Sequence, residues 1–141
     1  MAQRIAGLIH LVTAWLLVVG LLVQVFLAGM GIFDDASSFA THRDFGHLLE
    51  ILPVVLFLTA IVAGYGRWRA LAGVGLLALL FLQTILVLQR DSAPVVAALH
   101  PVNGFLLLLA ASIVAIDSVR LWRTSRTAAG DVTTDPERAT G

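Results

Sequence analysis

Residues 5–31 read IAGLIHLVTAWLLVVGLLVQVFLAGMG, and this stretch decides the fold. It contains no Asp, Glu, Lys or Arg, and it is longer than the roughly 20 residues that an α-helix needs to cross a bilayer. Like a signal peptide it follows a basic residue, Arg4, but the apolar run is too long and lacks a clean small-x-small cleavage site before the next polar stretch. The stretch therefore predicts an uncleaved first transmembrane span.

The composition of the whole chain agrees with a membrane protein. Of the 141 residues, 59% are apolar and only 13% are charged. No soluble protein of this size could bury that much apolar surface, so the bilayer must act as the solvent. The chain has no cysteine, which excludes disulfides, thiolate catalysis and Cys-based metal sites. Its net charge is zero and no basic stripe is present, so nothing indicates a nucleic-acid partner.

Further apolar runs predict three more spans after the first. The four expected spans are residues 5–31, 44–66, 70–89 and 101–120. Thr41 is the expected N-cap of the second span, and Pro101 suits the first helical position of the fourth. The sequence thus predicts an all-α integral membrane four-helix bundle over residues 1–122. Residues 123–141 have too little apolar surface to order themselves, and we expect a disordered cytoplasmic tail.

The distribution of arginine predicts the orientation, because the chain has no lysine. One set of span ends carries Arg4, Arg67, Arg69, Arg120, Arg123 and Arg126. The opposite ends carry only Arg43 and Arg90, each next to an aspartate. The positive-inside rule then puts both termini in the cytoplasm. Arginine without lysine is typical of GC-rich bacterial genomes, so we expect the cytoplasmic (inner) membrane of a bacterium.

Two similar motifs open the second and fourth spans. His42 to Gly46 and His100 to Gly104 both read His-x-x-x-Gly, and each precedes an apolar run. Gln24 and Gln83 occupy corresponding positions in the spans before them. The match predicts an internal repeat: two helical hairpins related by an axis along the membrane normal.

The topology gathers polar residues at the outer end of the bundle. They are Gln24, His42, Arg43, His47, Glu50, Gln83, Gln89, His100 and Asn103. His42 and His100 are candidate axial ligands of one haem b iron held between spans two and four, since imidazole is the usual haem ligand. Gly46 and Gly104, one turn after each histidine, would let the flat macrocycle lie close to the backbone. Arg43 suits a haem propionate, because arginine binds carboxylates well.

Other interpretations of these residues stay open. His47 is the alternative ligand in span two, and both ligand candidates are also ordinary interfacial histidines at helix starts. Gln24 and Gln83 are either hydrogen-bond donors behind the ligands or interhelical hydrogen-bonding partners. Glu50 shares a helix face with His47 and is expected to form a structural pair with it.

At the opposite end of the bundle the residues indicate structure rather than a second metal site. His10 and Asp117 are too few ligands for a metal ion, so we expect them to contact each other or to reach the interface. Gly73 and Gly75 predict close helix packing in span three.

The motifs resemble one four-helix half of a haem A synthase. In that family a His-Arg pair opens the second helix of each half, a His opens the fourth, and the two histidines flank a haem. His42-Arg43 with Gly46 matches the first element, and Leu82-Gln83 with Leu99-His100 matches the second. The resemblance covers roughly residues 22–110. Similar helix starts occur in other b-type membrane cytochromes, and the chain also looks like small uncharacterised four-helix membrane proteins of bacteria.

The chain also differs from haem A synthases, and the differences limit the role that the resemblance implies. Haem A synthases have two such halves and an acidic residue near the reaction centre, whereas this chain has one half and no secure counterpart of that acid. We therefore expect no catalytic residues and no enzymatic activity by the chain on its own. A homodimer would recreate the two-haem layout.

The sequence predicts a small multi-pass membrane protein that binds one haem b and carries electrons or handles haem. Its expected partners are the lipid bilayer and a membrane redox partner or larger complex. The alternative is a cofactor-free accessory subunit in which the outer polar cluster is a structural hydrogen-bond network. A small transporter-like fold built from the same repeat is the third candidate.

Overall fold

The computed structural model describes residues 1–126 with their side chains, together with the backbone of residues 127–134. The helices in this part of the chain are α1 (Ala2–Phe33), α2 (Ser38–Leu49), α3 (Ile51–Val62), α4 (Arg67–Leu88), α5 (Pro94–Ala97) and α6 (Leu99–Thr134). By length and composition they form four candidate membrane spans: Ala2–Phe33, Ser38–Val62, Arg67–Leu88 and Pro94–Arg126. The predicted all-α bundle of four apolar helices is confirmed.

The outer surface of the bundle is apolar, as a bilayer requires. Large side chains such as Leu16, Phe26 and Phe105 are 53%, 64% and 71% exposed. In water this surface would oppose folding, whereas in lipid it needs no cover. The structure therefore has the character of an integral membrane protein.

The second span begins earlier than predicted. It starts at Ser38 rather than Asp44, so Thr41 lies inside α2 and is not its N-cap. The turn before the helix is held instead by Asp35, whose Oδ1 accepts the backbone N–H of Ser37 at 2.7 Å. This bond lowers the pKa of the Asp35 carboxyl, because it stabilises the ionised form.

A break at Glu50 divides the second span into α2 and α3. Pro53 lacks a backbone N–H, so the carbonyl of Leu49 cannot receive its usual helical hydrogen bond. Pro53 is fully buried between the helices. The proline thus interrupts the helical hydrogen bonding of the second span, which the apolar pattern of the sequence did not indicate.

The fourth span also exceeds its predicted bounds. Helix α6 begins at Leu99, which puts Pro101 third rather than first, still within the turn where its missing N–H costs nothing. The helix continues to Thr134, so the tail predicted as disordered (residues 123–141) begins inside α6. Residues 135–141 of that tail lie outside the described residues.

The core follows the predicted repeat. Gln83 is 59 residues after Gln24, and His100 is 58 residues after His42. With the same offsets, three buried pairs of leucines are equivalent in the two halves: Leu17 and Leu76, Leu21 and Leu80, and Leu49 and Leu107. Hairpin one is α1 packed against α2 and α3, and hairpin two is α4 packed against α6. Contacts of α1 with α6, and of α3 with α4, join the two hairpins.

Glycine permits close approach at the seam between α3 and α4. A Cβ on Gly73 would lie 2.8 Å from the backbone N of Phe57 and 2.9 Å from the carbonyl O of Pro53. Because the neighbours are backbone atoms, they cannot move aside cheaply. The predicted close packing is thus confirmed at Gly73, whereas a Cβ on Gly75 would meet nothing within 4 Å.

A four-residue turn, residues 63–66, connects the hairpins. Gly64 and Gly66 have positive φ values of 72° and 88°, which side chains with a Cβ rarely adopt. Between them, Tyr65 points back to α1, where a Cβ on Gly7 would lie 2.5 Å from its hydroxyl oxygen. Burial raises the pKa of this phenol.

Candidate functional site

His42 and His100 are held in the same way by their own hairpins. Their end of the bundle is the histidine end, and the end with Arg69 and Asp117 is the arginine end. Nδ1 of His42 lies 3.0 Å from the carbonyl O of Gln24, and Nδ1 of His100 lies 3.1 Å from the carbonyl O of Gln83. A carbonyl can only accept, so Nδ1 carries the proton in both rings. In the neutral imidazole, Nε2 then keeps its lone pair.

The two rings meet across the bundle. They belong to spans two and four, and their centroids are 6.2 Å apart with the ring planes inclined by 64°. Within residues 1–126, no hydrogen bond reaches Nε2 of either ring. Two unprotonated ring nitrogens are therefore available at one place between the hairpins.

The glycines of the two motifs lie against the glutamine amides of the preceding spans. A Cβ on Gly46 would lie 2.5 Å from Nε2 of Gln24, and a Cβ on Gly104 would lie 3.0 Å from Nε2 of Gln83. Each glycine makes room for the glutamine amide of the preceding span. Both glycines also line the cavity described below, and their predicted role beside a macrocycle stays a prediction.

One position breaks the equivalence of the hairpins. Nδ2 of Asn103 donates to Oε1 of Gln83 and to the carbonyl O of Leu79, both at 2.9 Å. Phe45 stands at the equivalent position of hairpin one, and there Oε1 of Gln24 is buried with no hydrogen-bond partner in the described residues. The sequence placed Asn103 in the outer polar cluster without a role, and the structure shows that it bonds to the Gln83 amide. The signal was the third variable position of the motif, which is Phe in one copy and Asn in the other.

The remaining predicted residues form local pairs. Nδ1 of His47 lies 3.1 Å from Oε1 of Glu50, which agrees with the expected structural pair. Nε of Arg43 donates to Oδ1 of Asp44 at 2.9 Å, and both of these side chains are about two-thirds exposed. Arg43 is therefore already bound to a carboxylate of its own helix.

A cavity of about 510 Å³ brings the predicted site residues together. All eight line it: Gln24, His42, Arg43, Gly46, His47, Gln83, His100 and Gly104. Leucines of both hairpins, including Leu21 and Leu80, form apolar walls. The volume lies within the range of sites for small molecules and cofactors, roughly 300–1,000 Å³.

The donor set of this cavity suits a haem better than a bare metal ion. In residues 1–126, no group of three or more His, Cys, Asp or Glu side chains is placed to hold a metal ion. A haem iron takes its equatorial ligands from the macrocycle and needs only axial ligands from the protein. Histidines that bind metals usually donate their other ring N–H to a carbonyl or carboxylate, as both rings do here.

The arginine end contains a different pair of contacts at equivalent positions. His10 is 2% exposed, its Nδ1 lies 3.0 Å from Oγ1 of Thr59, and its ring packs edge-on against Tyr65 at 5.3 Å. Asp117 instead accepts two hydrogen bonds from Arg69, at 2.6 Å from Nε and 3.4 Å from Nη2. The expected direct contact between His10 and Asp117 was therefore wrong, because each side chain has another partner. The repeat offsets make Arg69 the equivalent of His10, and Asp117 the equivalent of Thr59.

Comparison with protein families gives a match over part of the chain. Residues 24–90 match DUF6220, a family of unknown function. The DUF6220 match begins at Gln24 and ends just after α4, so it includes His42 but not His100. No match was found among curated proteins or among solved structures. The DUF6220 similarity agrees with the expected likeness to small uncharacterised membrane proteins, whereas none of the comparisons links the chain to haem A synthases or cytochromes.

The fold and the DUF6220 match together indicate a small multi-pass membrane protein with four apolar spans.

Proposed function

We propose that the bundle binds one haem b at the histidine end, with His42 and His100 as axial ligands, and that it transfers electrons or handles haem. The single observation that carries the proposal is the matched pair of rings, each with Nδ1 tied to a main-chain carbonyl and with centroids 6.2 Å apart.

The repeat supports His42 rather than His47 as the ligand in span two. His42 has a histidine equivalent in the other hairpin, whereas the equivalent of His47 is Phe105. His47 is also paired with Glu50 on its own helix. A site built from two equivalent half-sites requires equivalent ligands, which only His42 and His100 provide.

The other residues of the cavity would tune the site. The carbonyls of Gln24 and Gln83 fix the tautomer and orientation of the rings and increase their basicity as ligands. The leucine walls exclude water and keep the local dielectric low, which affects the reduction potential. Arg43, once released from Asp44, would bind a propionate. The haem itself would supply one-electron transfer, and no residue of the chain is assigned a catalytic step.

The orientation and cellular location belong to the same proposal. The arginine end would face the cytoplasm of a bacterium and the histidine end the outer side, as the positive-inside rule requires. A membrane redox partner, a larger complex or a second copy of the chain would then exchange electrons at the outer side.

A cofactor-free accessory subunit is the second candidate function. The observation that favours it is the closed network around Asn103, which satisfies Gln83 and Leu79 without a ligand. The match to a family of unknown function is compatible with this role as well. In such a protein the two histidines would contribute only packing and hydrogen bonds.

The test is an absorption spectrum of the detergent-purified protein, oxidised and dithionite-reduced, after expression with added haem. We expect a Soret band and sharp reduced α and β bands in the wild type. Both His42→Ala and His100→Ala should lose them, while His47→Ala, which removes another histidine of the same cavity, should keep them. Circular dichroism confirms that each variant is folded.

Two outcomes would favour the accessory subunit. The first is a wild-type protein that contains no haem after supplementation. The second is a His100→Gln variant whose spectrum and stability equal those of the wild type, because glutamine preserves a hydrogen-bond network but is a poor haem ligand.

A further inference from the structure

A second cavity, of about 620 Å³, lies at the arginine end between α4 and α6 and is also lined by His10 of α1. Its polar lining includes Trp68 and Arg69 of α4 together with Asp117 and Arg120 of α6. Its apolar lining includes Ala72 and Ile113. The cavity is separate from the histidine end and plays no part in the proposed haem site.

The charges at this cavity do not cancel. Arg69 is fully engaged: Nε and Nη2 donate to Asp117, and Nη1 donates to the carbonyl O of Tyr65 at 3.2 Å. This pairing neutralises Asp117 and fixes the guanidinium. Arg120 lines the same cavity, is exposed and has no ion-pair partner among the described residues. The net charge of the three groups is +1, and it is located on Arg120.

The shape of the cavity combines this charge with an apolar slot. Ile113 precedes Arg120 by seven residues on α6, which at a rise of about 1.5 Å per residue is about 10 Å along the helix. Both residues line the cavity, so its wall runs from a cationic mouth to an aliphatic part deeper along the bundle, where Ile113 is 60% exposed on the lipid-facing side. Trp68 is 71% exposed at the mouth, and the guanidinium of Arg67 lies 5.0 Å from the centre of its ring. Exposed indoles of this kind are enriched at membrane–water interfaces.

We propose that this cavity binds an anionic phospholipid, with the headgroup phosphate on Arg120 and the first carbons of an acyl chain along Ile113 and Ala72. A free phosphate would use the cationic mouth but not the aliphatic slot. An uncharged lipid would use the slot but not the charge. Basic pockets between transmembrane helices are known to hold acidic headgroups.

The test compares thermal unfolding of the full chain in vesicles of phosphatidylcholine alone and of phosphatidylcholine with phosphatidylglycerol. Three proteins are measured: the wild type, Arg120→Gln and Arg126→Gln. Arg126→Gln is the matched control, because it removes the same charge from the same helix but does not line the cavity. We expect phosphatidylglycerol to raise Tm in the wild type and in Arg126→Gln, and Arg120→Gln to lose most of this rise.

Three results would overturn the proposal. An equal rise in Arg120→Gln and Arg126→Gln would mean that the acidic surface attracts the arginine end as a whole. An equal Tm in the two vesicle types would mean that the cavity does not select acidic lipid. Inorganic phosphate that reproduces the rise in phosphatidylcholine vesicles would mean that the ligand is a small anion rather than a lipid.

Discussion

The two hairpins carry equivalent contacts at the histidine end and different contacts at the arginine end. At the histidine end, a histidine bonds to a glutamine carbonyl and a glycine accommodates the same glutamine in both halves. At the arginine end, the neutral pair His10–Thr59 in hairpin one is replaced by the ion pair Arg69–Asp117 in hairpin two. The contacts of the two histidines are thus equivalent in the two hairpins, although the Asn103 bond to Gln83 has no counterpart. The contacts at the arginine end differ, even though both hairpins line the cavity there.

The two ends of the bundle differ in how strictly their contacts must match between the hairpins. A site between two halves needs both of them to present the same group in the same geometry, as a bis-histidine site does. The contacts at the arginine end need only to tie neighbouring spans together, and a hydrogen bond or an ion pair can do so. Substitutions in equivalent positions of the two hairpins test this contrast, and the largest effect is expected where backbone packs against backbone.

The seams that join the hairpins should respond differently to an added methyl group. Gly73→Ala should destabilise the protein by about 2–3 kcal/mol, because its Cβ would press on the backbone of α3 and overpacking costs about this much. Ala14, its equivalent in hairpin one, already carries that methyl group and is 1% exposed. The measurement is the free energy of unfolding in mixed detergent micelles. Gly75→Ala is the control and should be neutral, and a neutral Gly73→Ala would mean that the two seams are packed alike.

The polar pairs at the arginine end should differ in strength. Asp117→Asn leaves the Arg69 guanidinium without its anion, and we expect a loss of about 1–2 kcal/mol, limited because both side chains are more than a third exposed. Thr59→Val removes the partner of His10 and should cost less, about 1 kcal/mol. The same unfolding assay ranks the two variants. A larger loss from Thr59→Val would show that the neutral pair is the stronger link between spans.

The helix spans were easier to predict from the sequence than the side-chain contacts between neighbouring spans. The charge-free runs were enough to predict four spans, because crossing a bilayer depends on length and hydropathy. The partner of Asp117 depends on how α6 is rotated against its neighbours, so spacing alone favoured His10 where the structure has Arg69. The helix break at Glu50 and the start of α2 at Ser38 also depend on local hydrogen bonding. His42 and His100 could be paired in advance because the repeat carries information about rotation that a single motif lacks.

The amide network should be the next weakest point. Asn103→Leu would leave Oε1 of Gln83 without a donor, as Oε1 of Gln24 already is, and so would make hairpin two resemble hairpin one. We expect a loss of about 1 kcal/mol, measured by the same unfolding assay. Val102→Leu, at an exposed neighbouring position, serves as the control. An unchanged stability in Asn103→Leu would argue that the network contributes nothing to holding spans three and four together.

The smallest effect on stability should come from residues 34–37, which connect α1 to α2, and it should depend on pH. The folded-state pKa of Asp35 lies below its ordinary value of 3.8, because the carboxylate accepts the N–H of Ser37. The stability that the Asp35 carboxylate adds to the folded state is therefore complete above that ordinary pKa. It is lost as the pH falls through the lower folded-state pKa. Asp35→Asn should be slightly less stable than the wild type at pH 7 and equal to it at the acid limit. Parallel Tm profiles at all pH values would contradict this.

The turn at residues 63–66 gives the molecule the character of a tethered dimer. In the proposed site each hairpin would supply one histidine, so neither would contain a whole site, and the two half-sites would meet without depending on the protein concentration. A short linker of this kind holds two modules at an effective concentration in the millimolar range. The tether also removes the symmetry that identical subunits would impose, so one half can exchange a neutral pair for an ion pair while the other keeps it. The two glycines of positive φ let the chain make this short turn and so keep the hairpins in one molecule. The contacts at the arginine end can then differ between the hairpins while the histidines stay equivalent.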